Sequence, residues 1–220
     1  MRLIGSDEKK FSPNTDGQIV KIYDLNNLLD EDWGVRVNLI NNLAPNYRVV
    51  PRTKISVDTK QGIAIYSQQR VVNVSQNSFN IKYLYDFAEG LDNLASGSFI
   101  HGDINYKNIL FNGAKYYLID LEPSLIQRKN GKDSLMYTAP YISVDDFTLK
   151  SLSTLTDKIG FLWFCERLIS KKRVFDHKLR MNYIQKGISP VEIKWGLTET
   201  ELDKLSFGAL IDIVPISRNK

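Results

Sequence analysis

The sequence predicts an α+β fold, in which a small antiparallel sheet with one helix precedes a larger and mainly helical part. Alternating apolar and polar residues with turn signals dominate the first 74 residues, whereas helical spacing of apolar residues begins at residue 79. A chain of 220 residues can bury a sizeable core, and 43% hydrophobic residues are typical of globular proteins. We place the boundary near residue 70, which divides the chain into residues 1–70 and 71–220.

Composition narrows the class of protein further. The only cysteine, Cys165, excludes an intrachain disulfide and a multi-cysteine zinc site. The N-terminus does not resemble a secretory signal and no apolar run is long enough to span a bilayer, so we expect a cytoplasmic protein or one delivered into a host cytosol. The net charge of +4 suits an anionic ligand, but no basic stripe interleaved with aromatic residues predicts a nucleic-acid partner.

The first part of the chain is predicted to contain two or three short strands within residues 1–24, which include residues 2–4 and 18–23, and a hairpin of strands 54–58 and 63–66. Residues 67–70 interrupt the apolar run and are expected to link the two parts of the chain. Lys21 alternates out of step with its apolar neighbours Val20 and Ile22, so we expect it to face away from the packed side of the sheet, towards a cleft.

Helical spacing predicts the helices. Apolar residues from 35 to 43 predict a helix within residues 25–43, with Asp30, Glu31 and Asp32 in its first turn, where negative charge is favourable. A second amphipathic helix is predicted over residues 79–94 and is ended by Gly97. The most apolar segment, residues 155–168, is expected to be a core helix of the second part.

The stretch between these last two helices carries the polar residues that point to chemistry. His101, Asp103 and Asn108 occupy a loop between apolar runs, and a hairpin turn predicted at Asn112-Gly113 returns the chain to Asp120. This hairpin is expected to bring Asp120 beside Asp103 and Asn108. Carboxylate and amide oxygens are suitable ligands for Mg²⁺ that bridges a polyphosphate.

These motifs resemble those of the protein-kinase-like superfamily. His-Gly-Asp followed by four residues and Asn is similar to its catalytic loop, and Ile-Asp-Leu-Glu around Asp120 is similar to its metal-binding loop. The resemblance implies a two-lobed fold that binds ATP and Mg²⁺. Asp103 would orient or deprotonate an acceptor hydroxyl, while Asn108 and Asp120 would bind the metal and the nucleotide.

The resemblance also implies a nucleotide site in the first 70 residues. Ile19-Val20-Lys21-Ile22 is similar to the strand that carries the phosphate-contacting lysine of the family, and Gly5 is the one glycine where a phosphate-covering loop is expected. Arg36 stands where the family has a glutamate that pairs with this lysine. Glu31 or Asp32 is an alternative partner for Lys21.

Three functions follow from the resemblance. A protein Ser/Thr kinase is favoured by residues 137–140, which resemble the end of an activation segment, by Ser134, which resembles a residue that contacts the catalytic aspartate, and by Asp157, which resembles an aspartate that accepts hydrogen bonds from the catalytic-loop backbone. The alternative is a kinase of sugars or aminoglycosides, because Gly102 and Asp-Leu-Glu resemble those enzymes and Asn105 replaces the lysine usual in protein kinases. The third is a catalytically inactive binding module.

Overall fold

The structure is a computed structural model that describes residues 12–13, 17–24, 33–43, 48–74, 80–121, 126–129, 132–135, 141–149, 152–170 and 177–214. It is a mixed α+β fold with a small antiparallel sheet and several helices. Gly5, Glu31, Asp32 and residues 137–140 lie outside the described residues, as do the side chains of Arg36 and Ser134.

The described strands belong to three sheets. A four-stranded antiparallel sheet has the order β1-β2-β4-β3, and two hairpins pair β5 with β6 and β7 with β8. The strands are β1 (Ser12–Pro13), β2 (Gln18–Asp24), β3 (Thr53–Asp58), β4 (Ile63–Gln69), β5 (Ile109–Phe111), β6 (Tyr116–Leu118), β7 (Ile126–Lys129) and β8 (Lys132–Leu135).

The helices lie mainly in the second half of the described chain. They are α1 (Trp33–Leu43), α2 (Ile81–Ser96), α3 (Val144–Leu149), α4 (Thr154–Ser170), α5 (His177–Gln185), α6 (Pro190–Trp195), α7 (Glu199–Asp203) and α8 (Phe207–Ile213). The helices predicted over residues 79–94 and 155–168 are confirmed as α2 and α4. Gly97 caps the C-terminal end of α2, as expected.

The strands predicted over residues 18–23, 54–58 and 63–66 are confirmed, but β4 is longer than expected, and the strand predicted over residues 2–4 lies outside the described residues. The prediction ends β4 at Tyr66, whereas residues 67–69 also pair with β2, and residues 67 and 68 pair with β3 as well. Gln68 is tolerated in the buried part of the strand because its amide donates hydrogen bonds to Tyr66 Oη at 2.6 Å and to Thr53 Oγ1 at 3.4 Å. A buried polar side chain with satisfied hydrogen bonds does not end a strand.

The expected orientation of Lys21 is wrong. Lys21 is paired with Tyr66 and so shares a face of the sheet with Tyr66 and Ile55, both of which are buried, whereas Ile22 on the opposite face is 39% exposed. The ammonium lies 5.4 Å from the centroid of the Tyr66 ring. A lysine can occupy this face because its aliphatic stem packs on apolar groups while its ammonium extends to a polar partner.

Helix α1 is described from Trp33 to Leu43. The acidic residues predicted for its first turn, Asp30, Glu31 and Asp32, lie outside the described residues. The helix packs on the edge of the sheet, where the Asn41 side chain bonds both backbone groups of Ile55, at 2.7 and 2.9 Å. This amide therefore provides the partners that an edge strand otherwise lacks.

Aromatic side chains connect α2 and α4 to the β5–β6 hairpin. Phe87 of α2 lies 5.7 Å from Tyr116 of β6 and 6.1 Å from Phe161 of α4, measured between ring centroids, and Phe161 lies 5.5 Å from Phe207 of α8. All four side chains are buried. The β5–β6 hairpin therefore packs on an aromatic core formed by α2, α4 and α8.

The hairpin predicted at Asn112-Gly113 is confirmed, although its connection has four residues, 112–115, instead of the two expected. Phe111 pairs with Tyr116, and Asn112 Oδ1 accepts hydrogen bonds from the N–H groups of Ala114 and Lys115. The Asn112 side chain stabilises this wider turn in the way that asparagine commonly does.

Candidate active site

Asp157 of α4 anchors the start of the candidate catalytic loop, as the sequence predicts. Its two carboxylate oxygens accept hydrogen bonds from the backbone N–H groups of His101 and Gly102, both at 2.7 Å. Burial disfavours the charged carboxylate and raises the pKa of Asp157 to about 6, although His101 and the two backbone donors oppose this shift. The backbone at Gly102 has a φ of +76°, which favours glycine.

His101 joins the candidate catalytic loop to the segment that carries Asp120. Its Nδ1 accepts a hydrogen bond from the backbone N–H of Asp103 at 3.2 Å, and its Nε2 lies 2.9 Å from the carbonyl oxygen of Ile119. Because a carbonyl can only accept, this pattern assigns the ring proton to Nε2. The fully buried ring thus sets the distance between two loops that are far apart in sequence.

Two asparagine side chains hold the carboxylate of Asp103. Asn105 Nδ2 donates to Oδ1 at 2.8 Å, and Asn108 Nδ2 donates to Oδ2 at 2.9 Å. The same two amides also donate to the carbonyl oxygen of Asp103, at 3.0 and 2.9 Å. Asp103 is 5% exposed, so a buried and fully oriented carboxylate lies at the centre of the loop.

The loop lies directly against α4. A Cβ atom added to Gly160 would lie 2.2 Å from the carbonyl oxygen of Ile104, a distance that real side chains do not tolerate. Gly160 is one turn after Asp157, so both residues are on the same face of the helix. The helix therefore positions the loop through two hydrogen bonds at one point and through close packing at the next.

Asp120 lies next to the candidate catalytic loop because of the hairpin. The N–H of Ile119 donates to the carbonyl oxygen of Asn108 at 2.9 Å, so Asp120 is the next residue beyond this contact. The backbone at Asp120 has a φ of +58°, which L-residues other than asparagine and aspartate rarely adopt. The structure thus brings the segments of Asp103, Asn108 and Asp120 together, as expected from the sequence.

Lys21 of strand β2 contacts Asp120 at this site. Its ammonium lies 2.6 Å from Asp120 Oδ1, and the two side chains are 17% and 40% exposed. Asp120 belongs to the candidate metal loop and lies 99 positions further along the chain. Glu31 and Asp32, the alternative partners that the sequence offers for Lys21, lie outside the described residues.

The oxygen atoms that remain at this site suit a hard cation. Asn108 Nδ2 donates both of its hydrogen bonds to oxygen atoms of Asp103, which only accept. The side-chain oxygen Oδ1 of Asn108 therefore points away from Asp103 and, within the described residues, accepts no hydrogen bond. The second carboxylate oxygen of Asp120 likewise has no hydrogen bond there. One carboxylate and one amide oxygen fit Mg²⁺, which takes few protein ligands and completes its shell with water and phosphate oxygens.

Two residues of the site have structural roles that sequence reasoning did not assign. The sequence identifies Asn105 only as the replacement of a lysine, and His101 only as a member of the loop. Asparagine side chains commonly accept a hydrogen bond from the backbone N–H two residues later, as Asn105 Oδ1 does from Lys107, so this part of its role has a local signal. No local signal connects His101 to Ile119, because this contact depends on the hairpin.

Comparisons with known proteins identify no family for this chain, so a functional proposal has to rest on the geometry of the site. No protein-family model matches the sequence, and a search of curated proteins finds no significant match. None of the described helices is both long and apolar enough to cross a membrane. No group of three or more His, Cys, Asp or Glu side chains within the described ranges is placed to hold a metal ion, so any cation here would depend on amide and phosphate oxygens as well.

Proposed function

We propose that this protein is an ATP- and Mg²⁺-dependent phosphotransferase that moves the γ-phosphoryl group to a hydroxyl, most favourably a Ser or Thr hydroxyl of a protein. The observation that carries the proposal is the clamped carboxylate of Asp103 beside the oxygen donors of Asn108 and Asp120 and the ammonium of Lys21. Phosphoryl transfer depends mainly on positioning and charge neutralisation, and these residues offer both.

Asp103 would position the acceptor hydroxyl. Each of its carboxylate oxygens accepts one amide hydrogen bond and keeps lone pairs for a further donor. An acceptor hydroxyl that donates to this carboxylate would be directed towards the phosphoryl group and could release its proton there. The two asparagine amides prevent rotation of the carboxylate, which lowers the cost of orienting the acceptor.

Asn108 and Asp120 would hold the cation, and Lys21 would contact the phosphates. Mg²⁺, when bound, neutralises charge on the phosphate oxygens during transfer. Lys21 already directs its ammonium to this place through Asp120. The fixed segment from His101 to Asp103 keeps these groups in register with the acceptor side through the bond between His101 and Ile119.

The test is transfer from labelled ATP to a Ser/Thr peptide library, with and without Mg²⁺. Asp103→Asn and Asp120→Asn should each lower the rate at least about 100-fold, whereas Asp86→Asn, a change on the exposed face of α2, should leave it unchanged. Thermal unfolding of each variant checks that the fold persists.

Other results of the same assay identify the other functions. Transfer to sugars or aminoglycosides but not to peptides would assign a small-molecule kinase. Nucleotide binding without any turnover would assign an inactive binding module. A protein that does not bind nucleotide at all would refute the proposal.

A further inference from the structure

An aromatic and basic cluster lies at the far end of the candidate catalytic loop. We name it the Tyr106 patch, and it consists of Tyr106, Lys107 and Arg167. The guanidinium carbon of Arg167 lies 3.6 Å from the centroid of the Tyr106 ring, and the ammonium of Lys107 lies 6.0 Å from it. These distances are typical of cation–π contacts, so one ring organises both cations.

Helix α4 places this patch in line with the active site. Asp157, Gly160 and Arg167 are spaced by three and seven residues and so lie along one stripe of the helix. The loop follows the same stripe, because its backbone contacts Asp157 at His101 and Gly160 at Ile104, and Arg167 then covers Tyr106. Gly160 and Arg167 are about 10 Å apart along the helix axis, which is the length of a few residues of an extended peptide.

The patch is also connected to Asp103 through the loop itself. The N–H of Lys107 donates to Asn105 Oδ1 at 2.8 Å, and the amide nitrogen of the same side chain donates to Asp103 Oδ1. One asparagine side chain therefore fixes both the carboxylate and the backbone that carries Lys107. The distance between the patch and the carboxylate is set by a short and buried connection.

Neither Lys107 nor Arg167 forms an ion pair with a carboxylate within the part of the chain that the structure describes, and both side chains are exposed. Tyr106 is 40% exposed. A guanidinium that stacks on a ring keeps its N–H donors in the plane available for an incoming carboxylate.

We propose that the Tyr106 patch selects acceptors with acidic residues near the phosphorylated Ser or Thr, an inference that rests on the proposed function. The hydroxyl would lie at Asp103, and a Glu or Asp side chain a few residues away would pair with Arg167 and Lys107. Tyr106 orients Arg167 for this contact. Opposite charge across such a contact contributes to discrimination between partners more than to total affinity.

The experiment compares three peptides that share one acceptor Ser and differ in flanking residues, which are Glu, Gln or Lys. We expect kcat/KM to be about tenfold higher for the Glu peptide than for the Gln peptide, and this ratio to fall as salt is added. The double variant Lys107→Glu/Arg167→Glu should reverse the order, so that the Lys peptide becomes preferred. Lys186→Glu/Lys204→Glu, with the same change in net charge at exposed positions directly after α5 and α7, should retain the original order.

Tyr106 provides an internal control for the role of the ring. Tyr106→Phe keeps the ring and should keep the preference for the Glu peptide, whereas Tyr106→Ala should reduce it towards the value for the Gln peptide. Transfer to the neutral Gln peptide measures the proposed function by itself. If the Gln peptide is phosphorylated but the Glu peptide shows no advantage, or if the double variant leaves the order unchanged, the inference is wrong. If none of the peptides is phosphorylated while nucleotide is bound, the proposed function fails, and this inference fails with it.

Discussion

Lys21 of β2 donates a hydrogen bond to Asp120 at 2.6 Å, and this contact connects the antiparallel sheet to the candidate metal loop. Neither residue is close to the other in sequence. The contact gives the sheet a direct connection to the chemistry proposed for the larger half of the chain. Because this ion pair is partly exposed, it should contribute little to stability, whereas the proposed contact with phosphate makes Lys21 important for activity.

Lys21→Met should therefore change stability little and activity strongly. A partly exposed ion pair contributes about 1 kcal/mol or less to the free energy of unfolding, whereas loss of a phosphate-contacting cation should lower kcat/KM at least about 100-fold. Urea unfolding and labelled-ATP transfer measure the two quantities. If activity falls only in proportion to the loss of folded protein, Lys21 contributes to the fold alone.

Asn105→Ala tests the clamp on Asp103. It removes the buried donor to Asp103 Oδ1 and the partly buried acceptor of the Lys107 N–H, and should destabilise the protein by about 1–3 kcal/mol. Because the carboxylate loses one of its two supports, we expect kcat to fall while KM for ATP stays within about twofold. Steady-state kinetics with varied ATP check this, and an increase in KM with kcat unchanged would contradict it.

Gly160→Ala should separate the loop from α4. The added methyl group would meet the Ile104 carbonyl oxygen at 2.2 Å, and such overpacking costs about 1–3 kcal/mol or more. Gly208→Ala in α8 is the matched control, because the nearest atom there is the Ser206 hydroxyl oxygen at 3.7 Å.

The control change should even stabilise the protein by about 0.5–1 kcal/mol, since alanine favours helix more than glycine does. Thermal or urea unfolding of both variants provides the comparison. Similar stabilities for the two would refute the close packing of the loop on α4.

The stability of the protein should depend on pH because the pKa of Asp157 is raised on folding. Its pKa is raised from 3.8 to about 6 in the folded protein, so the folded state binds more protons than the unfolded state between these values. Stability contributed by the protonated form is therefore complete below about pH 4 and is lost as the pH rises through 6. The loss is on the order of 3 kcal/mol, at 1.36 kcal/mol for each unit of pKa.

Asp157→Asn should remove this pH dependence, although it destabilises the loop at every pH because an amide offers one acceptor to the two backbone donors. Urea unfolding of both proteins from pH 4 to pH 7.5 gives the comparison. The stability advantage of the wild type over the variant should decrease across this range, and a constant difference would contradict the assignment.

The sequence alone was sufficient where the determining forces are local. Apolar spacing within residues 79–94 and 155–168 predicted α2 and α4, and the signal at Asn112-Gly113 predicted the hairpin that returns Asp120 to the catalytic loop. These features depend on side chains a few residues apart, whose periodicity is visible in the sequence.

Tertiary structure decided the features in which a local preference competes with a distant partner. Alternation assigned Lys21 to the wrong face, because it cannot show that Asp120 offers a carboxylate there. Gln68 interrupts the apolar run and so predicts the end of a strand, whereas in the folded chain its amide forms hydrogen bonds with Tyr66 and Thr53. The ring of His101 and its bond to Ile119 depend on the hairpin register, and the stacking of Arg167 on Tyr106 depends on how α4 lies along the loop. Such contacts join residues whose separation in the chain carries no information about their distance in space, so only the folded chain could define them.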